Sequence, residues 1–526
     1  MRAQRKGMRY PDYRPRFFSV LALIGVFAST HLFAQSSTGK NRSATATSVG
    51  AQAPLIVTTG EQLGTALETV GAQAAALALQ TPQSKAPVAD AATPDFRAAR
   101  DEAARFLSDY LRIDTVNPPG NETRGARYLQ SILEREGIPS EVFESAPGRG
   151  NLVAGLKGNG KKKPVLMMGH IDVVGVEKEK WTVDPFGGVI RDGFVYGRGA
   201  ADDKKMGAAG VEVLLLLHRL KVPRDRDVIF LAEAGEESST QFGIDFMVER
   251  HWDKIAAEFS LAEGGHMAKR GATVTQVVVT AAEKLSRNMK LVARGVSAHG
   301  SVPRADNPLL RLSAALVKLA DWRQPMRLNE VTRAYFSRLA AISPPEEAYL
   351  YTHLEDPGVT EKLRARSPGL DALLRVTITP TIVQGGFRDN VIPATAEAAL
   401  MVRPLPDEDV LALVQRMREV IDDPAVEVVP AWGRRPAAPP SGLNTEMFLA
   451  LERVQKRLFP AAVTLPAMTT GTTDSAQLRA KGVQAYGIGT FGGSGAHGND
   501  ERVSVEGLGT LVEFLYRAMV EVAATK

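Results

Sequence analysis

A histidine and an aspartate, His170 and Asp172, interrupt the apolar run "VLMMGHIDVVGV" at 165–176. Such a run predicts a buried strand, where polar side chains are costly unless paired. Side chains two apart on a strand share a face. Asp172 is therefore expected to accept from one imidazole nitrogen of His170 and leave the other for a metal, fixing the ligand's tautomer. A plain hydrogen-bonded pair at a strand end is the alternative, and these two residues alone do not decide between them.

Other acids and histidines fall at comparable places. Glu236 and Glu237 follow "VIFLAEAG", Glu263 ends "FSLAEGG", and Asp202 and Asp203 lie in the loop "YGRGAADDKKMG". His299 stands in "VSAHGS" and His497 in "FGGSGAHGND", both flanked by glycine rather than by core residues. Each motif alone is weak. Together they supply two histidines, His170 and His497, and several carboxylates, the ligand inventory of a two-metal hydrolase. Of the adjacent pair Glu236 and Glu237, one can ligate while the other takes a proton from the attacking water. The chain has no cysteine, which excludes disulfides, thiolate metal sites and a cysteine nucleophile. Any metal must be held by His, Asp and Glu, a donor set that suits zinc, cobalt or manganese.

The elements that position these groups alternate. "NLVAGLKG", "PVLMMGH", "DVIFLAEA" and "AEFSLAEGG" have strand length, and helical segments such as "MGAAGVEVLLLLHRL" lie between them. This texture predicts an α/β layer with a mostly parallel sheet and helices on both faces, whose strand carboxyl ends gather functional groups. Near Arg287 the texture changes. "NMKLVARG", "NPLLRLSAALVKLADW", "LLRVTITPTIVQGG", "ATAEAALMVRPLP", "DEDVLALVQRMREVIDD" and "AVEVVPAW" read as a βαββαβ unit. An insert rich in charge and proline at about 325–372 interrupts that unit, and is expected either to enlarge it or to block one of its edges. The α/β texture then resumes to the end.

The N-terminus reads as an export signal: a basic segment, the apolar "FFSVLALIGVFA", and a small residue at Ala34 for cleavage. The apolar core is shorter than the ~20 residues that span a bilayer; retention as an anchor is the alternative. Residues 1–34 carry six basic side chains against one acid, which accounts for the whole net charge of +5. Nothing in the remaining charge calls for nucleic acid as a partner.

The ordered series HxD, GRGxxDDK, GEES, AEGG, SAHGS, NVIP and GAHGND resembles the M20 metallopeptidases, which include glutamate carboxypeptidases, aminoacylases, carnosinase-like dipeptidases and succinyl-diaminopimelate desuccinylases. The resemblance covers about 96–526. It implies a zinc-exopeptidase-like catalytic domain in two parts, 96–285 and 436–526, interrupted by a lid and dimerisation domain at 286–435. A signal peptide at 1–34 and a low-complexity linker at 35–95 precede them.

Carried over, the resemblance implies that His170 and Glu263 bind one zinc, Glu237 and His497 the other, and that Asp202 bridges them. Glu236 is the implied general base and Asp172 orients His170. His299 stabilises the oxyanion, in many relatives from the partner protomer. Asn390, Arg403, Gly471 and Thr472 are the implied substrate contacts, Arg403 suiting a free carboxylate.

The expected reaction is hydrolysis of an amide next to a free carboxylate, by a carboxypeptidase or dipeptidase on small peptides. An N-acyl-amino-acid deacylase is the alternative, and an inactive binding homologue the remote one. The last predicts a damaged ligand set, whereas every position holds a competent residue. The chain departs from the family pattern at Gly235, often an acid in relatives, and at Lys204 and Lys205, where Lys-Gly is usual. The lysines are expected to alter only the start of the helix.

Overall fold

The computed structural model describes residues 93–525. The leader at 1–34 and residues 35–92 of the linker lie outside the described residues.

The main sheet runs Ser140–Glu144, Gly150–Leu156, Val228–Glu233, Val165–His170, Phe259–Ala262, Gln484–Gly487, Thr273–Glu283, Val463–Thr469, with His266–Arg270 paired to Thr273–Glu283. The four strands from Val228–Glu233 to Gln484–Gly487 are parallel, as are Thr273–Glu283 and Val463–Thr469, while the remaining pairings are antiparallel. Alternation divides the strands between two cores. Val165 and Met167 join the core under helices Phe96–Leu111, Lys204–Arg219 and Val505–Ala523, while Leu166 and Met168 face Ile244, Met247 and Leu478 on the other side. Helix Lys204–Arg219 is apolar nearly all round and is correspondingly buried.

The smaller unit is a four-stranded antiparallel sheet in the order Thr377–Gly385, Thr395–Arg403, Met289–Arg294, Val426–Pro430. Helices Pro308–Asp321 and Val410–Ile421 cover it, with Leu312, Ala315, Leu413 and Met417 in a core of their own. Asn307 and Asp409 cap these helices by accepting first-turn N–H groups. The expected βαββαβ order is present.

The insert is helical. It folds into four helices, Glu330–Ala340, Pro345–Thr352, Pro357–Arg366 and Pro368–Ala372, around Phe336, Leu354 and Leu363. Its first helix lies against strand Val463–Thr469: Val331 enters the main core, Tyr335 and Leu339 pack on Leu465 and Ala467, and Arg338 donates to Glu452 at 2.5 Å and to the Thr464 carbonyl at 2.9 Å. An edge strand is thereby covered. Among the described residues no helix is long and apolar enough to cross a membrane.

Candidate metal centre and substrate cleft

Strand Val165–His170 ends at His170, and Val228–Glu233 runs parallel to it and ends opposite, at Glu233. The loops leaving these carboxyl ends carry the acids. His170 Nε2 lies 3.1 Å from Asp202 Oδ1, and His497 Nε2 lies 3.2 Å from Asp202 Oδ2 and 3.0 Å from Glu237 Oε1. Two donor groups result, His170–Asp202–Glu263 and Asp202–Glu237–His497, each with its ligand atoms within 4.8 Å of one another. Asp202 belongs to both. Two donors about 2.1 Å from one cation at a tetrahedral angle lie roughly 3.4 Å apart, so these spacings fit a pair of divalent ions with a shared carboxylate.

The electrostatics agree. Burial pushes the Glu237 carboxyl up to about 7, with Asp202 and Glu236 adding their repulsion. Burial also raises Glu263, aided by Asp203. Burial opposes ionisation of Asp202 too, but the hydrogen bond and charge of His170 outweigh it and hold this carboxyl low. Acids crowded at this density, out of water, are what bound cations neutralise. His497 adopts φ +59°, an uncommon conformation for a residue other than glycine and one that concentrates at functional sites.

Asp172 differs from expectation. It lies beyond the strand, and the His170 Nδ1 contact at 2.9 Å is to its backbone carbonyl, the carboxylate oxygen being 3.7 Å away. The fully buried carboxylate instead accepts the N–H groups of Glu236 and Glu237, each at 3.1 Å, and the side-chain amide of Asn117 at 2.9 Å. It holds the glutamate loop while its carbonyl orients the histidine.

The lysines also do more than begin a helix, because both point inward. Buried Lys204 donates to the carbonyls of Tyr110 at 3.2 Å and Ile113 at 2.7 Å, and Lys205 pairs with Asp203 at 2.6 Å. Gly235 has a simple cause. Its φ is +77°, and a Cβ there would lie 2.4 Å from the Ser239 carbonyl oxygen, so an acid does not fit this turn.

The remaining predicted residues divide. Thr472 lines the cavity of about 470 Å³ that also exposes Glu236 and Glu237, and exposed Gly471 adjoins it. Arg403 is half-buried and donates to Ser286 Oγ, another lining residue. His299 and Asn390 sit together on an exposed part of the smaller unit, where Ala298–His299 pairs with Val391–Ile392. Among the described residues, His299 hydrogen-bonds only Ser301 through its ring, and it makes no such contact with the ligand cluster of its own chain.

Two residues, Glu501 and Arg435, escaped the motifs. Fully buried Glu501 takes Arg198 at 2.6 Å and accepts the N–H groups of Gly199, Ala201 and Asp202 at 2.9, 2.8 and 2.9 Å. Its place directly after "GAHGND" was the available signal. Arg435 donates to Glu236 Oε1 at 2.5 Å and forms an ion pair with Asp474 Oδ1 at 3.0 Å. Burial pushes Asp474 up to about 8, the charges of Glu236 and Asp172 contributing.

The model of peptidase family M20/M25/M40 matches residues 166–521. The chain belongs to this family. Among M20-related proteins, it is 28% identical over 370 residues to the human N-fatty-acyl-amino acid synthase/hydrolase PM20D1, covering 67% of this chain and 73% of that one. It is 28% identical over 369 residues to "Probable carboxypeptidase S-like 2" of Dictyostelium discoideum, covering 67% and 70%. The M20 family metallo-carboxypeptidase Sso-CP2 from Sulfolobus solfataricus shares the fold, with TM-score 0.60, 19% identity, and coverage of 80% of this chain and 99% of that one. The protein is a metal-dependent M20 hydrolase with two adjoining His/Asp/Glu clusters suited to a dinuclear site.

Proposed function

We propose that this M20 hydrolase cleaves an amide bond adjacent to a free carboxylate, acting as a carboxypeptidase or dipeptidase on small peptides. The observation that carries this is the sharing of Asp202 between His170 and His497, beside the loop that presents Glu236. His170 and Glu263 would hold one ion, Glu237 and His497 the other, and Asp202 both. Zinc suits the donor set, as do cobalt and manganese. Bound there, the cations supply Lewis acidity to the scissile carbonyl and to an attacking water. Glu236 receives the proton and delivers it to the leaving amine, while Asp172 keeps Glu236 and Glu237 in register. Arg403, Thr472 and Gly471 border the substrate.

His299 serves as an oxyanion donor from a second copy, with Asn390 beside it. Its exposure, with no ring hydrogen bond to its own chain's ligands among the described residues, favours that arrangement, as do exposed Leu310, Val317, Ile382 and Val383 on the smaller unit, a surface suited to a homodimer. The leader directs the chain out of the cytoplasm, with cleavage near Ala34.

N-acyl-amino-acid deacylation is the second reading, favoured by the name of the human relative. A panel of dipeptides, carboxamide-blocked dipeptides and N-acyl amino acids, run with and without a chelator, tests both. Chelator-sensitive cleavage of free-carboxylate dipeptides is expected. Faster cleavage of N-acyl amino acids moves the assignment to a deacylase, and chelator-insensitive cleavage refutes the metal mechanism.

A further inference from the structure

We infer that Lys205 is a built-in counter-cation of the metal centre: its ammonium offsets the acids behind His170, Asp202 and Glu263 and makes the ion held there the more weakly bound of the two. This rests on the assignment of those three ligands to one ion, and adds what limits that ion's affinity.

Lys205 lies in "AADDKKMG" at 200–207, in the first turn of helix Lys204–Arg219. A cation at that end opposes the helix dipole, and the turn holds no acid to offset it. Helix formation therefore gives no reason for the charge. Lys204 is occupied by the carbonyls of Tyr110 and Ile113. Lys205 meets the acids instead. Its side chain is 12% exposed, its Nζ lies 2.6 Å from Asp203 Oδ1, and it also donates to the Ala201 carbonyl. These two partners bracket the shared acid, Asp202, in the chain.

Burial works against the ammonium, and the charges of Asp203, Asp202 and Glu263 outweigh it. Asp202 and Glu263 belong to the donor group of His170, so the ammonium acts on that side of the shared carboxylate. Asp203 belongs to neither donor group. It is fully buried, with Oδ1 on Lys205 and Oδ2 without a partner. Left alone, its negative charge would add to the pull on a nearby cation. Paired with Lys205, it does not. The pair thus sets the charge behind the ligands without coordinating anything itself.

The two members of the pair act on the ion with opposite sign, and this gives the test. Zn2+ is titrated at pH 8 into the full chain stripped of metal, as wild type, Lys205→Met and Asp203→Asn, by calorimetry against a competing chelator. Lys205→Met leaves Asp203 unopposed and is expected to tighten the weaker of the two steps by about tenfold or more. Asp203→Asn leaves the ammonium unopposed and is expected to loosen that step by a similar factor. The rise in Tm on adding Zn2+ should be larger than wild type in the first variant and smaller in the second. A pair that only props up the ligands predicts that both variants bind Zn2+ more weakly. Shifts of the same sign, unchanged affinities, or a shift confined to the tighter step overturn the inference.

Should Lys205→Met not fold, the double variant Asp203→Asn with Lys205→Met decides, since a buried ion pair exchanged for neutral side chains is commonly tolerated. Affinity within about threefold of wild type supports the charge account, and a loss of about tenfold or more overturns it. A wild type that takes up no Zn2+ refutes the dinuclear site and this inference together. Two bound ions whose affinities ignore the sign of the substitution refute this inference alone.

Discussion

The carboxylate of Glu501 accepts the backbone N–H of Asp202 at 2.9 Å, across 299 residues of sequence. The same side chain pairs with Arg198, whose guanidinium is 2% exposed. The position of the shared acid is thus set by a residue only four places after His497 in the chain. Glu501→Gln removes the charge opposite a buried arginine and is expected to destabilise the protein by roughly 3–5 kcal/mol. Chemical denaturation reads this directly, and metal content should fall as well. A variant of wild-type stability would deny Glu501 its organising role.

Gly235 turns the chain immediately before the glutamate pair, at φ +77°. An alanine there meets both an unfavourable backbone region and the Ser239 carbonyl 2.4 Å from its Cβ. Gly235→Ala is expected to cost about 2 kcal/mol or more, and to displace Glu236 and Glu237 enough to slow turnover. Denaturation midpoints and kcat for the two proteins decide the matter; an unchanged pair of values counts against it.

Glu212 is buried in helix Lys204–Arg219 with neither carboxylate oxygen hydrogen-bonded, and burial pushes its pKa from 4.5 up to about 8. Between these values the folded protein keeps a proton that the unfolded chain has released. The stability it supports is complete below pH 4.5 and falls as pH rises towards 8, by up to about 1.4 kcal/mol per pH unit. Glu212→Gln lacks this titration. Its Tm should therefore gain on the wild type between pH 5 and pH 8; parallel Tm curves would rule the titration out.

What could be read in the sequence was what is local to it. His170, Asp202, Glu237, Glu263 and His497 stand in short motifs at strand ends, and the structure gathers them. The βαββαβ order was visible in hydrophobic periodicity. Contacts between distant segments were not. Asp172 was expected to reach His170 through its carboxylate, but the strand ends before it, so its side chain serves the Glu236–Glu237 loop. Arg435 sits in a proline-rich connection with no periodicity, and only folding brings it against Glu236 and Asp474. The insert showed its composition but not that Val331 and Arg338 bind it to the catalytic sheet.

The central claim is that one carboxylate, Asp202, serves two ions at once. Elemental analysis of the purified wild type and of Asp202→Ala tests it most directly. About two divalent ions per chain in the wild type and none in Asp202→Ala are predicted. A metal-free wild type that still hydrolyses amides, or an Asp202→Ala protein that retains both ions, would contradict it.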